Sequence, residues 1–301
     1  MIAAIWNPAK VERDELADAL RAAGCDAPVE WLPTSETDPG QLATAAALAG
    51  GPELVLVAGG DGTVRAAIEV LAGTSVPLGI VPRGTGNLLA RNLSIPLDTE
   101  GACRVALGEG ERRIDTGWAE IAGQRHAFAV IAGFGIDSRM IVETDDDLKS
   151  SAGWLAYLAA LGRALSTADV VGVELAVDGE PGTPIEAHTI LVGNCGTVQG
   201  GLTLLPDAVP DDGVLDLMAL SADTLPGWIE TLKTAVWDNG VLRWFQEDPD
   251  AVAGANTSHL RGTRFTLTTD KPVTFEVDGD ELGDITAVTF EIQPAAVTVR
   301  V

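Results

Sequence analysis

Three short stretches of the chain combine residue types able to do chemistry. The first, "GGDGT" at Gly59–Thr63, ends an apolar run with an acid set among glycines. Glycine tolerates positive φ and lets backbone N–H groups approach a bound group closely. The start of a following helix adds partial positive charge suited to phosphate. Asp61 would repel a phosphate, so Mg²⁺ between the two reconciles them. A plain strand-to-helix turn capped by Asp61 explains the same residues. The second stretch, "GIVPRGTGNLLARNL" at 79–93, ends a strand at Pro82 and opens a helix through Gly84, Thr85, Gly86 and Asn87. Arg83 there is either counter-charge to a phosphate or a solvated loop residue. The third, "VDGDELG", carries Asp278, Asp280 and Glu281 around Gly279. One of these carboxylates could take the proton of an attacking hydroxyl while a phosphoryl group is transferred; an exposed hairpin turn is the alternative.

The elements that must position these stretches follow from the pattern of apolar residues. Strands are expected at Ile2–Trp6, Val29–Leu32, Glu53–Ala58 and Leu78–Val81, and helices at Val11–Ala23, Gln41–Ala49, Val64–Leu71 and Leu88–Asn92. That alternation implies a doubly wound parallel sheet with helices on both faces. Two glycine turns after adjacent strands of such a sheet face one crevice. From about Arg112 the segments become short, β-rich and broken by glycine, as in "VGVELAVDG", "TRFTLTT" and "AVTFEIQP". They predict a mainly antiparallel β-sandwich domain, with helical patterns near Gly153–Leu165 and Leu225–Phe245. The expected plan is an α/β domain over 1–111 and a β-rich domain over 112–301, with a cleft between them and the last strand free to return to the first domain.

Composition narrows the function classes. A net charge of −25 makes nucleic acid a poor partner, because binding it requires cationic patches. Cys25, Cys103 and Cys195 form no paired motif, which suggests a reducing cytosol rather than a disulfide framework. His126, His188 and His259 are dispersed, so a histidine-based metal site is not expected. The N-terminus reads as a strand, not a signal peptide, and no apolar run approaches the ~18 residues of a membrane span. No GxxxxGK[ST] loop occurs, and Gly60–Arg65 misses the dinucleotide fingerprint GxGxxG at its last position.

The motifs, taken in order, resemble the diacylglycerol kinase catalytic-domain family and its bacterial and sphingosine-kinase-like relatives. "GGDGTVRAAIEVL", "PLGIVPRGTGNLLARNLSIP", "RRIDTGWAEI" with "AGFGIDSRM", "LKSSAGWLAYLAAL", "GNCGTVQGGLTLLPDAVPDDGVLDLMAL" and "FEVDGDELG" carry the likeness along nearly the whole chain. The resemblance implies an ATP-dependent, Mg²⁺-requiring lipid kinase. ATP would contact Asn7, Pro8, Ala9 and Lys10 of "NPAK", Thr34, Gly59, Gly60, Asp61, Gly62 and Thr63, then Thr85, Gly86 and Asn87. A structural Mg²⁺ would be held by the Asp212 carboxylate with the backbone carbonyls of Val209 and Val214, although two acids beside a glycine also make an ordinary turn. Asp280 would be the catalytic base, with Glu281 in reserve and Asp61 serving catalysis through the metal; the family commonly carries glutamate where Asp280 stands. It often carries asparagine where Val130 stands. Asp61→Ala is expected to abolish transfer with the fold intact.

The implied partner is a lipid substrate such as diacylglycerol, met at a transient membrane-surface contact by a cytoplasmic or peripheral protein. Trp228, Trp237 and Trp244, with Leu232, Val236, Leu242 and Phe245, form either a lipid-access face or core packing. The lipid and the oligomeric state, a homodimer included, stay open. Two alternatives remain. An NAD kinase shares "GGDGT" but would carry an "NxxxGxLGFL"-like segment absent here, and a non-catalytic nucleotide- or lipid-binding regulator would show no turnover.

Overall fold

The computed structural model describes residues 1–135, 170–198, 203–221 and 257–301. The helical patterns near Gly153–Leu165 and Leu225–Phe245, with the three tryptophans of the latter, lie outside the described residues.

The first part alternates strand and helix: β1 (Ile2–Trp6), α1 (Arg13–Ala22), β2 (Val29–Pro33), α2 (Gln41–Ala49), β3 (Leu54–Gly59), α3 (Asp61–Leu71), β4 (Leu78–Pro82), α4 (Leu88–Asn92) and α5 (Thr99–Leu107). Its strands pair in parallel in the order β2-β1-β3-β4. β3 and β4 are continuous apolar runs buried at every position, as expected for parallel strands covered on both faces. Helix α1 turns Leu16 and Leu20 inward, with acids in its first turn and Arg21 in its last, matching the helix dipole. Helix α3 begins at Asp61, three residues before the apolar pattern suggests. Helix α5 goes beyond the sequence expectation; its start is marked by Asp98, whose Oδ1 accepts the Gly101 N–H at 2.7 Å.

The second part is built of β5 (Glu111–Ile121), β6 (Gln124–Phe128), β7 (Ile131–Phe134), β8 (Val171–Val177), β9 (Thr183–Ala187), β10 (Thr189–Gly193), β11 (Leu215–Leu220), β12 (Thr257–Gly262), β13 (Arg264–Val277) and β14 (Asp280–Arg300). Among the described residues, its strands pair with one another only in the antiparallel sense. The segments "TRFTLTT" and "AVTFEIQP", expected as short strands, each belong to a much longer one. β13 breaks register between Thr268 and Val273, and β14 between Gln293 and Val297. The bend in β14 is held by buried Asp115, whose Oδ1 accepts the Ala295 N–H at 2.6 Å and Oδ2 the Gly213 N–H at 2.7 Å. Beyond the bend, Val299 pairs in parallel with Leu78 of β4, so one strand runs through both parts. Two apolar cores result, one under the parallel strands and one around Phe128, Phe265, Phe275 and Phe290.

Candidate active site in the interdomain cleft

A cavity of about 370 Å³ opens where the carboxyl ends of β3 and β4 face the tip of the β13–β14 hairpin. One wall comes from the parallel domain: Lys10, Gly60, Asp61, Gly62, Gly84, Thr85 and Gly86. The other carries Glu276, Asp278, Gly279 and Asp280 beside an apolar surface of Leu88, Ile131, Ala132, Leu191, Val198 and Leu204. The position matches the rule that ligands of open parallel sheets bind outside the carboxyl ends of the strands.

Both glycine turns are tied to each other by Asp61. Its Oδ2 accepts the N–H of Asn87 at 2.8 Å and its Oδ1 that of Leu88 at 2.6 Å. Asp61 therefore caps α4 across the crevice, rather than its own helix, whose N-cap is Gly60. Burial pushes its carboxyl above the usual carboxylate range, and the N–H groups of Leu88 and Asn87 pull the other way. Gly86 is required by this contact, since a Cβ there would lie 2.7 Å from Asp61 Oδ2. Asn87, in the left-handed region at φ 49°, braces the same turn by exchanging two 2.8 Å hydrogen bonds with the Gly84 backbone.

The three carboxylates of the hairpin tip go three ways. Asp278 and Gly279 form a two-residue loop at φ 47° and 89°, the left-handed pair that an Asp-Gly hairpin turn demands. Asp278 is buried, accepting the N–H groups of Ala129, Val130 and Ile131 at 2.8, 3.0 and 2.9 Å. Burial raises its pKa to about 6 against those hydrogen bonds. Val130 takes part through its backbone N–H, and its side chain is buried in the core. Asp280 reaches the cavity and accepts a 2.7 Å hydrogen bond on Oδ2 from Arg65 Nη2 of α3. Glu281 is exposed and does not line the cavity; Glu276, which the sequence did not single out, does.

Of the residues expected to contact a nucleotide, Lys10, Gly60, Asp61, Gly62, Thr85 and Gly86 meet on the wall. Asn7, Pro8, Ala9, Thr34, Gly59, Thr63 and Asn87 do not line it. Asn7 Oδ1 accepts the Ala9 N–H at 2.9 Å, closing the turn that presents Lys10. Thr34 is buried and its N–H donates to the Trp6 carbonyl at 2.9 Å. Gly59 lies directly beneath the Thr63 side chain. Arg83 does not line the cavity; it joins Glu15 at 3.0 Å and Thr99 at 2.8 Å.

Residues 7–119 match the family described as "Diacylglycerol kinase catalytic domain", and residues 130–301 the "YegS C-terminal NAD kinase beta sandwich-like domain". The chain belongs to this family. Among its relatives, a "Probable lipid kinase YegS-like" of Pseudomonas fluorescens is 36% identical over 68% of the chain and 67% of that protein. A "Diacylglycerol kinase" of Mycobacterium tuberculosis is 33% identical over 60% of the chain and 59% of its own length. The chain spans about half, 51%, of a third relative, from Synechocystis. A diacylglycerol kinase crystal structure from Bacillus anthracis shares the fold at TM-score 0.68 and 21% identity, covering 99% of this chain and 96% of that one. An NAD kinase from Archaeoglobus fulgidus in complex with ATP does so at 0.52 and 14%, covering 100% and 94%.

The structural cation implied by the family resemblance does not fit "VPDDGV" as placed here. The turn does bring its residues together: the Asp212 N–H donates to the Val209 carbonyl at 3.4 Å, and Asp212 Oδ1 accepts the Val214 N–H at 3.2 Å. The remaining Asp212 oxygen, Oδ2, is bonded by Arg261 Nη2, while Arg261 Nε lies 3.2 Å from Asp216 Oδ1. A guanidinium thus occupies the carboxylate face that a cation would need, and the expected metal turn is an arginine-closed turn. Among the described residues no cluster of three or more His, Cys, Asp or Glu is arranged to hold a metal.

Proposed function

We propose that the chain is a lipid kinase that transfers the γ-phosphoryl group of ATP to a hydroxyl of diacylglycerol or a related lipid. The observation that carries this reading is one cavity lined on one side by two glycine turns and on the other by a carboxylate beside an apolar surface. The phosphates would lie on the backbone of Gly60–Gly62 and Gly84–Gly86, where the amino end of α3 faces the cavity. Lys10 is the basic residue on a wall that also carries Asp61, Glu276, Asp278 and Asp280. ATP therefore enters as its magnesium complex, whose cation offsets phosphate charge among these acids. The acceptor lipid lies along Leu88, Ile131, Leu191 and Val198, its hydroxyl turned toward Asp280, and the carboxylate takes the hydroxyl proton as the oxygen attacks phosphorus. Relatives named diacylglycerol kinase and lipid kinase support the substrate class.

Purified protein with Mg²⁺ and γ-labelled ATP, offered diacylglycerol, monoacylglycerol, sphingosine and undecaprenol in mixed micelles with NAD in a parallel tube, tests the reading. Label in a lipid is expected, falling about 10²–10⁴-fold in Asp280→Asn. Label in NAD alone would make the protein an NAD kinase. ATP binding with no label anywhere would make it a regulator.

A further inference from the structure

We propose that Arg65 is the positioning residue for Asp280: from α3 it crosses the interdomain cleft, fixes carboxylate oxygen Oδ2, and leaves Oδ1 to receive the acceptor's proton. The inference rests on the kinase reading above and adds a residue to it that neither the glycine turns nor the acidic motif contains.

Arg65 stands in a part of α3 buried at every position from Thr63 to Ile68, an unusual place for a guanidinium. Its side chain is 9% exposed, whereas its partner Asp280 is 50% exposed and lies 215 residues away in sequence. The asymmetry gives the pair a direction. The arginine stem is already immobilised by packing, so its planar, permanently charged head is a fixed anchor. Asp280 sits on a hairpin tip at the cavity mouth and without that anchor would sample several rotamers. The same oxygen lies over Gly62, where an added Cβ would come within 2.9 Å of Asp280 Oδ2. Oδ2 is thus held between Arg65 and the first turn of α3.

Arg65 Nε is buried with no hydrogen-bond partner. Leaving a charged donor unpaired costs stability, so the arginine is a poor choice for holding the fold and a reasonable one for aiming a carboxylate. In the step it serves, the acceptor O–H breaks with its proton passing to Asp280 Oδ1. The acceptor oxygen bonds to the γ-phosphorus, the bond from that phosphorus to the β–γ bridging oxygen breaks, and ADP leaves.

The test compares wild type, Arg65→Gln, Arg65→Lys, Asp280→Asn and the Arg65→Gln/Asp280→Asn double variant by labelled-phosphate transfer and by thermal unfolding. Misplacing a reacting group by about 1 Å costs up to ~10²-fold. Arg65→Gln is therefore expected to lose about 10- to 100-fold in kcat with KM for ATP unchanged, Arg65→Lys to recover part of it, and Arg65→Gln to add nothing in the Asp280→Asn background. Should Arg65→Gln fail to fold, Arg65→Lys, which keeps charge but loses the fork, carries the same kcat-against-KM comparison. Wild-type kcat in the folded Arg65 variants would overturn the inference and leave the kinase reading standing. Equal losses from Arg65→Gln with and without Asp280 would also overturn it, because the arginine would then act on the fold. Absence of lipid phosphorylation by wild type would remove the kinase reading and the inference together.

Discussion

At the scale of single residues, the acid of "GGDGT" has a use that its neighbours in sequence do not reveal. Flanked by glycines, Asp61 reads as a group poised beside a ligand. In the fold both its oxygens accept backbone N–H groups from the start of α4, so it lines the cavity and also fastens its two rims. Removing it takes away two hydrogen bonds to a charged acceptor, each worth about 1.5–3 kcal/mol, and strands their donors. Asp61→Ala is accordingly expected to lower the free energy of unfolding in urea by about 3 kcal/mol as well as to abolish transfer. The fold itself is still expected to be intact, at that lower stability. An unchanged unfolding midpoint with transfer lost would mean that Asp61 acts on the ligand alone. The structure shows Arg65 as a charge within a buried helix face, and its partner was not legible in the sequence, because 215 residues separate the two.

At the scale of elements, the strand-turn-helix units of the first domain were legible because their apolar runs and periodic helices are local signals. The helix α5 and the long bent strands β13 and β14 were not. A bulge leaves two apolar segments that look like separate strands, and only the pairing partner shows that they are one. The first turn of α3 shows how an element can be tuned for a neighbour instead of for itself. Alanine at position 62 would raise intrinsic helix stability by about 1 kcal/mol, yet its Cβ would come within 2.9 Å of Asp280 Oδ2. The two effects oppose each other in stability and only one acts on the carboxylate. Gly62→Ala is expected to leave the unfolding midpoint within about 1 kcal/mol of wild type and to lower kcat about tenfold. Unaltered kcat would show that Asp280 tolerates displacement.

At the scale of the whole molecule, β14 couples the two parts by pairing with β13, β5 and finally β4, and the cavity lies between those parts beside the hairpin where β14 begins. Outside the cavity lining, Arg261 closes the "VPDDGV" turn through Asp212 and Asp216. Burial raises the Asp216 pKa to about 6, against the favourable charge of Arg261. Because a guanidinium fills this place, thermal unfolding is expected to be the same in EDTA as in Mg²⁺, and Arg261→Met to cost about 1–2 kcal/mol, a buried-pair loss discounted for the half-exposed arginine. A drop of several degrees in EDTA would return the turn to a cation. No helix among the described residues is long and apolar enough to cross a membrane. The sequence by itself determined the parallel α/β domain, the β-rich second domain, the two glycine turns and the acidic hairpin, since each is written in residues within a few positions of one another. Only the tertiary structure decided which carboxylate enters the cavity, what holds it, and whether an acid faces ligand, backbone or arginine. Those outcomes depend on contacts between segments far apart in the chain, and no local pattern of residues encodes which distant groups will meet.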